Sequence, residues 1–163
     1  MSGIALSGEY EYRFREGRRW GPWRRLSNGL TTAGLTDFLA AGVAQGTQRT
    51  WYLGLISATN FTDLSSGDTM SSHTGWAELT AYSGNRKAWG PSVASALAAN
   101  STPAEFSFND TCTVQGFFVA SDSAKGGSSG VLLSTAELNA PRAKLSGQSL
   151  QLRYRLRAAG GSQ

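Results

Sequence analysis

A chain of 163 residues, 40% hydrophobic and 10% aromatic, is long enough to bury the core of one ordinary domain. Charged residues make up only 16% of it, the net charge is +4, and it has one histidine and one cysteine; this excludes a zinc site built from several Cys and His ligands and any intramolecular disulfide. No apolar run approaches the roughly 20 residues that cross a bilayer, and no basic segment followed by a long apolar run opens the chain, so neither a membrane partner nor a Sec-type signal is expected.

The first predicted element is a strand: Tyr10, Tyr12 and Phe14 alternate with Glu11, Arg13 and Arg15 at the period of two of a half-buried sheet. It runs into the most distinctive stretch of the chain, where Arg18, Arg19, Trp20, Trp23, Arg24 and Arg25 follow within ten residues of Arg15. A turn at Glu16-Gly17 makes this stretch a hairpin of two edge strands. Arginines interleaved with tryptophans can hold phosphates and stack on bases, and the same two residue types are favoured at the hot spots of protein interfaces. A net charge of +4 is modest for a nucleic-acid binder. The N-terminal segment, Ile4 to Arg25, is therefore expected to dock on a protein partner together with the basic last strand, through these six residues and with Arg19, Trp20, Trp23 and Arg24 as anchors.

From Thr32 to Gly42, Leu35, Phe38 and Leu39 fall at i, i+3 and i+4, with a threonine ahead and a glycine at the end, which predicts one short helix. Continuous apolar runs bounded by turn residues predict interior strands at Trp51–Ile56, Gly116–Ala120 and Gly130–Leu133. Weaker strands are expected at Glu78–Tyr82 and Glu105–Asn109, a long loop over 85–102, and a tight glycine turn over 125–130. Leu150, Leu152, Tyr154 and Leu156 alternate with Gln151, Arg153, Arg155 and Arg157 in a last strand with a wet, basic face. About seven short strands and one helix point to an all-β fold, an antiparallel β-sandwich or jelly-roll-like barrel. Within this single domain, residues 1–30 read as an N-terminal hairpin or arm, 31–157 as the sandwich core and 158–163 as a flexible tail.

Chemistry finds little to work with. His73 has Ser71, Ser72 and Asp68 nearby in sequence, but no nucleophile elbow or phosphate loop accompanies them. Asp63, Asp68, Asp110 and Asp122 lack the alternating acidic pattern of a calcium loop. Glu78 or Glu105 with Asp110 could pair as glycosidase carboxylates, with only their existence to recommend them. Cys112, in an apolar stretch, reads as a small buried hydrophobe. No catalytic residue, metal or cofactor is expected, and the chain does not read as an enzyme.

Five blocks carry a resemblance: the Asn28-Gly-Leu30 segment after the hairpin; Gly46–Ile56; Asp68–Trp76 with Glu78, Tyr82, Arg86 and Trp89; Gly116–Phe118 leading into Ser121–Gly127; and Gly130–Leu132. Together they resemble a family of small structural proteins of tailed bacteriophages, over about Tyr10 to Leu156. The loop residues Asp68, Met70, His73, Gly75 and Trp76 form the most specific part of the likeness, and the arginine- and tryptophan-rich hairpin departs from it. The resemblance implies a virion component made in the host cytoplasm: first a capsid decoration or cement protein, next a tail or head fibre component. The implied partners are major capsid protein subunits and copies of the chain itself, as a dimer or trimer. A fibre component would bind a cell-surface glycan through exposed rings such as Trp76, Tyr82 and Trp89.

Overall fold

The alternation of apolar and polar residues is realised most fully at the two ends of the chain. In the computed structural model, which describes residues 4–100 and 102–160, β1 (Ile4–Glu16) and β12 (Ser149–Gly160) lie antiparallel over their whole length, from Ile4 opposite Gly160 to Arg15 opposite Ser149. Around this pair sheet A is completed by β2 (Arg19–Trp20) and β3 (Arg24–Ser27) on β1, by β8 (Leu97–Ala99) and β9 (Ala104–Ser107) on β12, and by β7 (Ser92–Ala94) on β8. Sheet B runs in the order β4 (Gly29–Leu30), β11 (Leu132–Lys144), β10 (Cys112–Ala120), β5 (Trp51–Ser57), β6 (Lys87–Trp89). The two antiparallel sheets pack face to face as an all-β sandwich.

The two sheets differ in how they are covered, and the sequence patterns follow. Sheet A has one wet face, so its strands alternate: Tyr10, Phe14, Leu150, Leu152, Tyr154 and Leu156 turn inward to the core between the sheets. Sheet B is covered on both faces, which is why its central strands read as continuous apolar runs. Leu53, Leu55, Phe117 and Val119 face sheet A. Their neighbours Ile56, Phe118, Ala120 and Leu132 face the other way and are capped by Met70, Trp76, Phe61 and Leu64 from the connection between β5 and β6. Burying each large apolar side chain contributes roughly 1.5–3 kcal/mol. Gly54 makes room for this second core, since a Cβ there would lie 2.2 Å from the Phe118 ring.

The helix α1 (Thr32–Val43) starts where the threonine signal places it. Thr31 accepts a hydrogen bond from the Gly34 N–H at 3.0 Å through its Oγ1, and its hydroxyl donates to the Leu132 carbonyl of β11. The expected stop at Gly42 lies inside the helix; the chain closes two residues later, when the N–H groups of Ala44 and Gly46 both bond to the Ala40 carbonyl.

Four other expectations differ from the structure. The loop expected over 85–102 contains β6, β7 and β8. Residues 78–82 make only isolated bridges, Ile56 with Glu78 and Tyr82 with Phe108, rather than a strand. Residues 158–160 of the expected tail belong to β12, and 161–163 lie outside the described residues. The expected hairpin forms around Gly17, at φ +67°, but its first strand is a central strand of sheet A that carries Tyr10 and Phe14 into the core, so residues 4–30 do not stand apart from residues 31–157.

Candidate functional site

Antiparallel pairing decides where each arginine of the N-terminal segment points, because residues opposite each other project to the same side of the sheet. Glu11 lies opposite both Arg153 and Arg25, and Glu9 opposite Arg155. These side chains form a network on the outer face of sheet A: Arg155 reaches Glu11 at 2.9 Å and Glu9 at 4.0 Å, and Arg25 reaches Glu11 at 3.4 Å and Glu9 at 3.8 Å. Toward the hairpin the carboxylates of β1 give way to arginines, and the nearest acid in the row of Arg13 is Glu105, two strands away on Gln151. Trp20 lies opposite Arg15, and the Arg13 guanidinium sits over both indoles, 5.0 Å from the Trp20 ring and 4.6 Å from that of Trp23. Arg153 covers Trp23 at 4.6 Å and Arg15 approaches Trp20 at 5.9 Å. Arg13 is further held by Gln151, whose side-chain oxygen accepts from Nε at 2.9 Å. The result is a half-buried ladder of guanidiniums and indoles, each stack worth about 0.5–1 kcal/mol at an exposed site.

The neighbouring residues of the same segment turn the other way. Arg24 lies opposite Tyr12 and Arg19 opposite Glu16, on the side of β1 that faces sheet B. There they border a cleft of about 220 Å³ at the open edge of the sandwich, with Tyr12 and Phe14 as walls and Arg142 of β11 on the far side. Inside it Glu16 accepts from Lys144 at 2.5 Å and from Arg142 at 3.1 Å. These two cations hold the Glu16 carboxyl below its ordinary value, the Lys144 hydrogen bond being the larger cause. Of the six predicted partner-binding residues, Trp23 and Arg25 lie with the outer face and Arg19 and Arg24 with the edge cleft, while Trp20, with Arg13 over its ring, also lines the cleft and joins the two surfaces. Arg18 is exposed at the hairpin turn, next to the cleft residue Arg19.

The loop from Asp68 to Trp76 is a packing device. Met70 and Trp76 are buried against Phe118, and His73 stacks on Trp76 at 3.9 Å with its Nδ1 2.9 Å from the Trp76 carbonyl. Asp68 accepts from the Trp76 indole N–H and from the Ser65 backbone, both at 3.0 Å. Gly75 is required by contact, since a Cβ would lie 2.1 Å from Asp63 Oδ1. Ser71 pairs with Thr69. His73 and Asp68 are thus engaged with Trp76, and neither is set against a serine hydroxyl.

Arg86, whose side chain is completely buried, binds both oxygens of Glu78, at 3.0 and 2.7 Å, and the carbonyls of Asp122 and Gly127. Glu78 also accepts from the Gly126 N–H at 2.7 Å. This pins the 121–127 turn to the 78–86 segment beneath Phe118. Glu105 takes a hydrogen bond from Gln151 and Asp110 from the Thr111 N–H, so the carboxylates nominated with Glu78 have separate structural duties. Burial, and then the Asp110 charge, push the Cys112 thiol upward, away from a reactive thiolate. Among the described residues no three His, Cys, Asp or Glu side chains converge as a metal site would require. The rings nominated for a glycan, Trp76, Tyr82 and Trp89, are all buried, with Trp89 donating its indole N–H to the Tyr154 carbonyl and Tyr82 edge-on to Phe106.

Sequence reading took in Arg13 with the Ile4–Arg25 segment and Arg153 with the basic last strand, and missed Arg142 and Lys144, which come from a strand more than a hundred residues away. No family model, curated protein or solved structure matches the chain.

Proposed function

We propose that this chain is a non-enzymatic virion structural protein of a tailed bacteriophage, a capsid decoration protein that docks on shell subunits through the arginine-rich side of sheet A. The observation that carries the docking part is the uneven placement of charge. Most arginines of the chain lie on β1, β2, β3, β12 and the end of β11, while Arg86 is enclosed by Glu78 and Arg49 is paired with Asp37. One side of a stiff sandwich therefore presents cations on a pre-ordered aromatic ladder, suited to an acidic protein surface. The virion part rests on the resemblance of Gly46–Ile56, Asp68–Trp76 and Gly116–Gly127 to phage structural proteins. Copies of the chain are the second partner class, and a symmetric dimer or trimer suits a symmetric shell.

The fibre alternative loses the rings it nominated, since Trp76, Tyr82 and Trp89 offer no face to a sugar. The experiment is co-sedimentation of the purified chain with shells of the parent phage. Arg18, Arg24 and Arg25 changed together to Glu should abolish association while leaving the circular dichroism spectrum unchanged. Retained association, or absence of the protein from mature particles, overturns the reading.

A further inference from the structure

We infer that the edge cleft bounded by β1, β2, β3 and the end of β11 is a receptor for carboxylate side chains on an extended acidic segment of a partner polypeptide. Three features of the cleft support this.

The first is its charge. Arg13, Arg19, Arg24 and Arg142 line the cleft with a single carboxylate, Glu16, which engages only Arg142 and the buried Lys144 behind it. Arg19 and Arg24 have no acidic partner among the described residues, in contrast to Arg25 and Arg155 on the outer face. Guanidinium forks left open in a concave site match carboxylates in geometry as well as charge. Glu16 already shows that a carboxylate is accommodated there.

The second is the strand edge beside it. Among the described residues β3 pairs with β1 alone, so its other edge is open. An extended segment added to a free edge gains main-chain hydrogen bonds, and its side chains alternate between two sides. Acidic residues at every second position would all project to the side of β3 that carries Arg24.

The third separates a peptide from a nucleic acid. Base stacking needs an open aromatic face, and the rings lining the cleft already have partners, Tyr12 packing against Phe14 and Phe117. The Phe14 ring carries Lys144 at 4.5 Å and Arg142 at 4.9 Å, and each indole of the adjoining ladder carries two guanidiniums of the same chain. A cleft of about 220 Å³ is also on the scale of side chains rather than of a stacked nucleotide.

The inference rests on the docking proposal only for the source of the segment, which would be a shell subunit. The test uses the purified full chain and a blocked ten-residue peptide alternating Thr and Glu, titrated by calorimetry. Binding should be measurable at low salt, fall at least tenfold in R19Q/R24Q, and stay unchanged in R157Q, an exposed arginine at the far end of sheet A. A ten-nucleotide oligo-thymidylate, carrying more charge, should bind more weakly and without dependence on Arg19 and Arg24. Absence of peptide binding, equal binding by R19Q/R24Q, or tighter oligonucleotide binding through the same two arginines overturns the inference. Because no shell is present, those failures leave the docking proposal standing. Peptide binding intact in a chain that does not sediment with shells supports the cleft and overturns the docking proposal instead.

Discussion

Arg86 and Arg24 are the same side chain put to opposite uses, and the regions around them differ in one respect that decides the use. Arg86 is enclosed by two carboxylate oxygens and two carbonyls, so each of its charge-assisted bonds closes a loop of its own chain. Arg24 and Arg19 stand at a sheet edge where the nearby carboxylate, Glu16, is taken by Arg142 and Lys144, so their bonding capacity is left for something else. The comparison teaches that an arginine cluster is a structural staple or a recognition surface according to whether the fold brings an acid to it. Residue type and local density alone do not tell the two apart.

The sharpest way to break this contrast is to remove each arginine in turn and measure stability. Arg86→Met leaves the Glu78 carboxylate buried without its cation, and urea unfolding should show a loss of about 3–5 kcal/mol. The main core between the sheets is in turn sensitive to alkali. Burial pushes the Tyr154 hydroxyl up to about 12, and raises Tyr10 and Tyr82 as well, from an ordinary value of 10.0. Raised folded values mean that stability is complete below pH 10 and falls as pH climbs through 12. The slope is about 1.4 kcal/mol per pH unit for each tyrosine whose ionisation is withheld. Urea midpoints measured between pH 8 and 12 check this, and Tyr154→Phe should flatten the decline.

On the recognition side the effects on stability are smaller. Trp23→Ala removes the ring beneath Arg13 and Arg153 and should cost about 1–2 kcal/mol, two exposed cation–π stacks. The lowered Glu16 value means that its contribution is present above the ordinary glutamate value of 4.5 and is lost as pH falls through the folded value. Amide protection factors across Gly17–Gly21, corrected for the intrinsic exchange rate at each pH, should fall in acid, and Glu16→Gln should remove that pH dependence. Arg19→Gln with Arg24→Gln should change stability by less than about 0.5 kcal/mol, since neither side chain is held by this chain. A larger change would mean that both are staples like Arg86, and the distinction between the two regions would fail.

Much of the architecture was legible in local pattern. Strands β1 and β12 announce themselves by alternation because one face of sheet A is wet, and β5 and β10 by continuous apolar runs because both faces of sheet B are covered. Thr31 marked the helix start because a side-chain cap is a local interaction. What escaped detection was short or non-local. Strands β7 and β8 are three residues each, built of small side chains, and the turn between them uses Ser95 and Ala96 at φ +52° and +59°, without the Gly or Asn that advertises such a turn. The surfaces were visible as a composition but not as a geometry. Trp20, Trp23, Arg19 and Arg24 look like one cluster in sequence, but pairing with β1 turns Arg19 and Arg24 toward the cleft, Trp23 lies under Arg13 and Arg153 on the outer face, and Trp20 stands between.

By itself, then, the order of residues determined that the chain forms a turn-rich β-sandwich with one helix, and that its cations crowd toward its ends. These are matters of periodicity and composition, expressed within a few residues. Only the tertiary structure decided which cations meet an acid, because Glu11 and Arg155 become neighbours through strand pairing, and Glu16 and Lys144 through the packing of one sheet on the other, each across more than a hundred residues. Charge compensation depends on distance in space, and register between remote strands sets that distance.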